Sequence, residues 1–319
     1  MSRLLAVLLL LAAGQALGQA WPAKPVTLLI PFPPGGSTDI LGRITAEALG
    51  RELGQPFVVD NRGGAGGAVG AKAIADAAPD GYLLGMATIS THVVNPIVQG
   101  DKLRYDPLRD FTLISQIAAV PNVVSIHPGV PAKDMKEFIA LARREPGKLN
   151  FATPGVGSLG HLIGETFKYS ANVNLTHVPY RGAGPALNDA LAGQVQVIFD
   201  NLPASLPHIQ AGKLRALAVA SERRVPAVPD IPTFGELGMP LVNDPSWFAL
   251  IGPAKLPSEV AARVHGALVA VLKQPEVLKR FEANAATPVG NSPEAFRKAL
   301  ADTIDSTRRI VREANLKFE

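Results

Sequence analysis

Cysteine is absent from all 319 residues. That absence excludes disulfide staples, thiolate metal ligands, a cysteine nucleophile and a lipid carried on an N-terminal cysteine. Histidine is sparse, and His92, His127, His161, His177, His208 and His265 show neither the H-x-H nor the H-E-x-x-H spacing of a metal site, so no metal is expected. Charge is low as well. Charged residues make up 18% of the chain and the formal net charge is only +4, with Lys and Arg scattered along helices rather than gathered in a stripe with aromatics between them. Nucleic acid is therefore not an expected partner. The short basic runs Arg143-Arg144, Arg223-Arg224 and Arg308-Arg309 read as solvated faces. Past residue 20 no apolar run approaches the roughly 20 residues that a membrane-spanning helix needs.

What is present begins with Arg3, an apolar run from Leu4 to Ala13, and small residues at Gly18-Gln19-Ala20. This pattern predicts a secretory signal peptide over 1–20, cleaved after Ala20 to leave Trp21 first. The expected product is exported, soluble and unanchored, with the periplasm as its compartment and no cofactor. A mature chain of about 300 residues exceeds what one hydrophobic core usually serves, so two domains are expected.

Apolar periodicity predicts strands at 26–31, 57–61, 83–87, 111–117, 122–126, 149–152, 176–178, 195–199, 216–220 and 247–251. Helices are predicted at 38–53, 68–77, 135–145, 162–169, 185–191 and 204–211, and three more open at Pro257-Ser258, Pro275-Glu276 and Ser292-Pro293-Glu294. Strands alternating with helices predict an α/β fold with mainly parallel sheets. After Ser221 the run RRVPAVPDIPTFGELGMP cannot continue a helix or a central strand, and it is expected to connect two lobes. The predicted organisation is a first lobe from 21–118 and 222–319 and a second from 119–221.

In open α/β sheets ligands bind beyond the carboxyl ends of the strands, which directs attention to the turns there. Gly35-Gly36-Ser37-Thr38 opens one helix and Thr153 to His161 opens another, each offering the free N–H groups of a helix start to an anion. Between them lie the glycine turn 61–67, which includes Gly66, the turn Thr88 to Thr91, and Asp200-Asn201. The glycine turn lacks the lysine of a phosphate-binding P-loop. Gly155 to Gly160 matches G-x-G-x-x-G, yet the next strand supplies no acidic residue for a dinucleotide ribose, and the export signal argues against a redox cofactor. No G-x-S-x-G elbow is present for a serine hydrolase. His161, in the first turn of its helix, is expected to be neutral because the positive end of the dipole disfavours its protonated form.

Seven blocks in order, PFPPGGSTD, VVDNRGGAGG, AAPDGYLL, YDPLRDF, PGKLNFATPGVGSLGHL, HVPYRGAGPAL and GKLRALAVAS, carry a resemblance to the extracytoplasmic substrate-binding proteins of tripartite tricarboxylate transporters, the Bug family. The chain departs from that pattern at Pro33-Pro34, Gly63 and Trp247-Phe248-Ala249. The resemblance implies a two-lobed periplasmic binding protein of type II-like form. It would close on a small carboxylate and present it to membrane permease subunits, as a monomer and without catalysis. It nominates Gly36, Ser37, Thr38 and Asp39 on one lobe, Thr153, Gly157, Ser158 and His161 on the other, and Asp200 at the far end of the ligand; Gly66 and Thr88 complete the expected lining. Two other readings stay open: a secreted α/β enzyme using Asp39, His161 and Asp200 as acid and base, and the ligand-binding subunit of a sensor.

Overall fold

The computed structural model describes residues 21–318, so the predicted signal peptide lies outside the described residues. The first lobe is built on a six-stranded sheet of order β11-β4-β10-β3-β1-β2. Its strands are β1 (Val26–Ile30), β2 (Phe57–Asn61), β3 (Leu83–Thr88), β4 (Phe111–Val120), β10 (Ser246–Pro253) and β11 (Thr287–Pro288). Helices α1 (Ser37–Leu53), α2 (Ala68–Ala75), α3 (Asn95–Gln99), α8 (Ser258–Val271), α9 (Pro275–Ala283) and α10 (Pro293–Glu313) surround it. The second lobe holds a five-stranded sheet of order β7-β6-β8-β5-β9. These are β5 (Asn122–Ile126), β6 (Asn150–Thr153), β7 (Thr176–Pro179), β8 (Val197–Asn201) and β9 (Arg215–Ala220), flanked by α4 (Met135–Arg144), α5 (Leu159–Ala171), α6 (Ala183–Leu191) and α7 (Leu202–Gln210).

Period-two alternation places the cores. Along β10, Phe248 and Leu250 join one buried cluster with Leu28, Leu41, Leu268 and Phe281, while Trp247, Ala249 and Ile251 face the other with Phe296 and Leu300. All eight β10 residues are buried, as expected for a central strand covered on both faces. Helix α1 stops where Gly54 takes a left-handed conformation and returns its N–H to Gly50 O. Helix α4 starts where the Asp134 side chain accepts from Glu137 N.

The sheets are mixed. β1 pairs in parallel with β2 and β3, and β6 with β7 and β8, whereas β10 runs antiparallel to β3 and β4, and β5 runs antiparallel to β8 and β9. These two strands, β5 and β10, are the ones at which the chain enters a new sheet: β5 follows β4 across Pro121 alone, and β10 follows the proline-rich run after β9.

That run does not act as a simple link between lobes. Val219 N donates to Pro232 O and Phe234 N to Val219 O; Val225 and Val228 pack with Val123 and Leu206, and Phe234 packs against Phe167. These contacts keep the segment on the second sheet, past the expected boundary at residue 222. The chain crosses between sheets at Pro121 and at Asp244-Pro245, just before β10. The C-terminal helices pack on the first sheet, and beyond α10 Phe318 reaches the second lobe, meeting His161 edge-on at 5.1 Å.

Candidate ligand-binding cleft

Between the lobes lies a cavity of about 30 Å³ lined by Phe32, Gly36, Ser37, Thr38, Thr88, Ser90, Asn122, Pro154, Leu159, Gly160, Ala183, Phe199, Asp200, Asn201, Ser246 and Phe248. A larger hollow of about 410 Å³ beside Trp247 and α10 is chiefly apolar and has no such convergence of helix starts. Among the described residues no lysine, arginine or histidine lines the inter-lobe cavity. Its polar lining combines the Asn122, Asp200 and Asn201 side chains and several hydroxyls with the starts of three helices.

The first is α1, which follows β1 through Pro31 to Gly36. Gly36 is its N-cap and carries no side chain, so the amides of Ser37 and Thr38 at the first two helical positions have no hydrogen-bond acceptor among the described groups. The second is α5, where Leu159 N donates to Ser90 Oγ from the opposite lobe at 2.9 Å and His161 N to its own cap, Ser158 Oγ, at 3.2 Å. Gly160 N between them has no acceptor among the described groups. The third is α7, whose Pro203 brings no N–H and whose Ala204 N donates to Ser37 Oγ at 3.0 Å. Proline in that first turn placed the predicted start of this helix too late; the Asn201-Leu202-Pro203 pattern is the signal that could have found it.

Asp200 lies at the end of β8 where α7 begins. Burial pushes its carboxyl up to about 6, opposed by hydrogen bonds from the Asn201 backbone and from Ser205 Oγ, the latter at 3.0 Å. A cavity of amide dipoles and hydroxyls with one reluctant acid can hold an anion at the helix starts and a hydrogen-bond donor near Asp200.

The nominated residues divide into two groups. Gly36, Ser37, Thr38, Thr88 and Asp200 line the cavity. Asp39, Gly66, Thr153, Gly157, Ser158 and His161 are not among its walls. The Asp39 carboxylate faces its own lobe, accepting from Gly35 N, Arg43 and Asn61, and those partners hold its pKa below the ordinary value against the opposing effect of burial, which is the largest single influence. It fixes the glycine turn in place. Thr153 Oγ1 accepts from Gly155 N and pairs with His177 Nε2 at 2.7 Å, bracing the turn after β6. Ser158 is spent on its own helix. Gly66 and Gly157 form the seam where the lobes meet: Gly66 O accepts from Asn95 Nδ2, and a Cβ on Gly157 would stand 2.5 Å from Asn95 Oδ1.

His161 turns away from the cavity. Its ring stacks on His177 with centroids 3.8 Å apart, and burial, followed by the neighbouring His177 and Lys168, lowers its pKa to about 3. The imidazole is neutral as expected, but burial rather than the helix dipole is the leading cause. Asp39, His161 and Asp200 thus do not assemble into an acid-base group. Ser90 and Gly160 lie in turns singled out from the sequence but were passed over for their neighbours, whereas Asn122 and Ser246 were missed; Asn122 follows the end of β4, the signal that selected the others.

The family described as "Tripartite tricarboxylate transporter family receptor" matches residues 41–316. Protein BugT of Bordetella pertussis is 36% identical over 324 residues, covering 100% of this chain and 99% of that protein. Among solved structures, R. palustris Rpa4515 with adipate is 35% identical with a TM-score of 0.89, covering 93% of this chain and 99% of that one. MatC (Rpa3494) from Rhodopseudomonas palustris with bound malate is 31% identical with a TM-score of 0.87, covering 91% and 100%. The fold with its inter-lobe cleft and the match over most of its length agree: this chain belongs to the tripartite tricarboxylate transporter receptor family.

Proposed function

We propose that the protein is a periplasmic receptor that captures a small carboxylate between its lobes and delivers it, unchanged, to membrane permease subunits. The observation that carries this reading is the set of amides at Ser37, Thr38 and Gly160, which meet from opposite lobes at a cavity without a basic side chain. A carboxylate bridging them favours the closed arrangement because only that arrangement offers both half-sites together. Adipate and malate in the two Rhodopseudomonas proteins support the ligand class. Export behind residues 1–20, action as a monomer and transfer to a permease belong to the same proposal. The separation of Asp39, His161 and Asp200 supports binding without turnover.

The test is calorimetric titration of the refolded, ligand-stripped protein against mono-, di- and tricarboxylates and their amides, followed by recovery of each bound ligand. The expected result is binding of an ionised carboxylate at least about tenfold tighter than its amide, since charge-assisted hydrogen bonds are roughly twice as strong as neutral ones, with the ligand recovered intact. Equal affinity for acid and amide would overturn the anion cradle; a chemically altered ligand would overturn the receptor reading.

A further inference from the structure

The first lobe supplies hydroxyls that complete helix starts of the second. Ser90 Oγ, on the turn after β3, accepts Leu159 N of α5 at 2.9 Å. Ser37 Oγ accepts Ala204 N of α7 at 3.0 Å and donates to Asn201 O at 3.1 Å. Ser37 is 2% exposed and Ser90 is 7% exposed, so both bonds are formed away from water. Around them the backbones approach closely: a Cβ on Gly66 would meet Val156 O at 2.6 Å, one on Gly184 would meet Pro34 O at 2.7 Å, and one on Gly36 would meet Ala183 Cβ at 3.1 Å. Side chains at these glycines would hold the hydroxyls out of reach of the amides.

We infer that Ser90 is a positioning residue for ligand capture, acting with Ser37 as a trans-lobe cap that holds the closed cleft together through the protein's own hydrogen bonds. The consequence reaches the ligand. Because Ser90 occupies Leu159 N and Ser158 occupies His161 N, Gly160 N is the α5 amide left for an anion, so the cap also selects which amide reads the carboxylate. When the lobes part, Leu159 N and Ala204 N exchange these partners for water, and the bonds weigh in the equilibrium by the difference. A net hydrogen bond of ordinary strength corresponds to about a fivefold bias toward closure.

The inference rests on the receptor reading for its purpose, but its test needs no ligand. The chain has no cysteine, so Val58→Cys and Tyr169→Cys, at exposed positions on opposite lobes, provide unique sites for two spin labels. Pulsed electron resonance on ligand-stripped protein then reads the distance distribution between lobes. The expected result is a measurable short-distance population in the labelled protein, reduced about fivefold relative to the open one by Ser90→Ala and restored by Ser90→Thr, which keeps a hydroxyl. Should Ser90→Ala fail to fold, Ser37→Ala removes the α7 cap and is expected to shift the same ratio in the same direction. A distribution that Ser90→Ala leaves unchanged, a Ser90→Thr variant no better than alanine, or a ligand-stripped protein with no closed population would each overturn the inference. A protein that bound no carboxylate would leave these outcomes intact, so the two readings fail separately.

Discussion

Asp200 is the residue on which pH acts most directly. Its neighbours offer a serine hydroxyl and a backbone amide, and no cation lines the cavity it faces. The folded pKa of about 6 lies above the ordinary 3.8, so between these values the native state binds the extra proton. Stability therefore falls as pH rises from 3.8 through 6, by at most about 3 kcal/mol from a shift of this size. Asp200→Asn removes the ionisation while keeping the shape. Below pH 4 the variant and the parent should be equally stable in urea; the variant should gain through pH 6 and lead by about 1–3 kcal/mol at pH 7.5. A lead that is the same at every pH would mean that Asp200 does not titrate on folding. For a ligand held in the cavity as proposed, the same proton bears on binding: a ligand that ends in a hydroxyl or ammonium group could donate to the Asp200 carboxylate, whereas a second ligand carboxylate near it would require one of the two acids to be protonated.

At the scale of elements, the glycine turn between β2 and α2 and the start of α2 itself do separate jobs, one carried by Gly66 in the turn and the other by Gly70 in the helix. A Cβ on Gly66, at φ +60°, would lie 2.6 Å from Val156 O of the other lobe, while one on Gly70 would lie 2.5 Å from Pro31 Cα and 2.6 Å from Arg62 O within its own lobe. Gly66→Ala should therefore weaken carboxylate binding by about tenfold or more through obstructed closure, with roughly 1 kcal/mol of stability lost to the left-handed backbone. Gly70→Ala should lower stability by about 1–3 kcal/mol through overpacking inside the lobe. Titration calorimetry and urea unfolding separate the two, and equal effects of both variants on both measurements would refute the division.

Much at this level was legible in the sequence. Apolar runs and glycine-rich helix starts gave the strands and helices that shape the cleft, because burial on two faces and capping chemistry are local properties. Strand direction was not legible, since β5 and β10 are buried on both faces and read alike either way up. Nor was the helical turn from Ser90 to Gln99, where β-branched residues and Pro96 mask a conformation that tertiary burial of Thr91, His92 and Val93 imposes. The aim of side chains was the least legible property. Ser158 and His161 sit in a cleft-facing turn, yet one caps its own helix and the other stacks on His177, and both outcomes depend on neighbours far away in sequence or on one rotamer.

At the scale of the whole molecule, closure must pass through two crossings, Pro121 and Asp244-Pro245, and Asn122 ties them together. Its Nδ2 donates to Asp244 O at 3.0 Å, its Oδ1 accepts from Asn201 Nδ2, and its backbone is paired between β8 and β9. With 2% exposure and a place on the cavity wall, this side chain links the crossing at Asp244, the second sheet and the inter-lobe cavity. Asn122→Ala leaves a carbonyl and an amide without their partners, a loss of about 1–3 kcal/mol when the groups stay buried. For a chain of this size that corresponds to a melting temperature lower by roughly 2–8 °C. Asn201→Ala removes only the second bond and leaves the tie to Asp244, so it should shift melting less. Calorimetry of both variants with and without a bound carboxylate decides the role: if Asn122 couples the hinge to the cleft, its variant should also lose part of the ligand-induced rise in melting temperature. If Asn122→Ala melts lower but keeps the full ligand-induced rise, the tie stabilises the fold without coupling the two lobes.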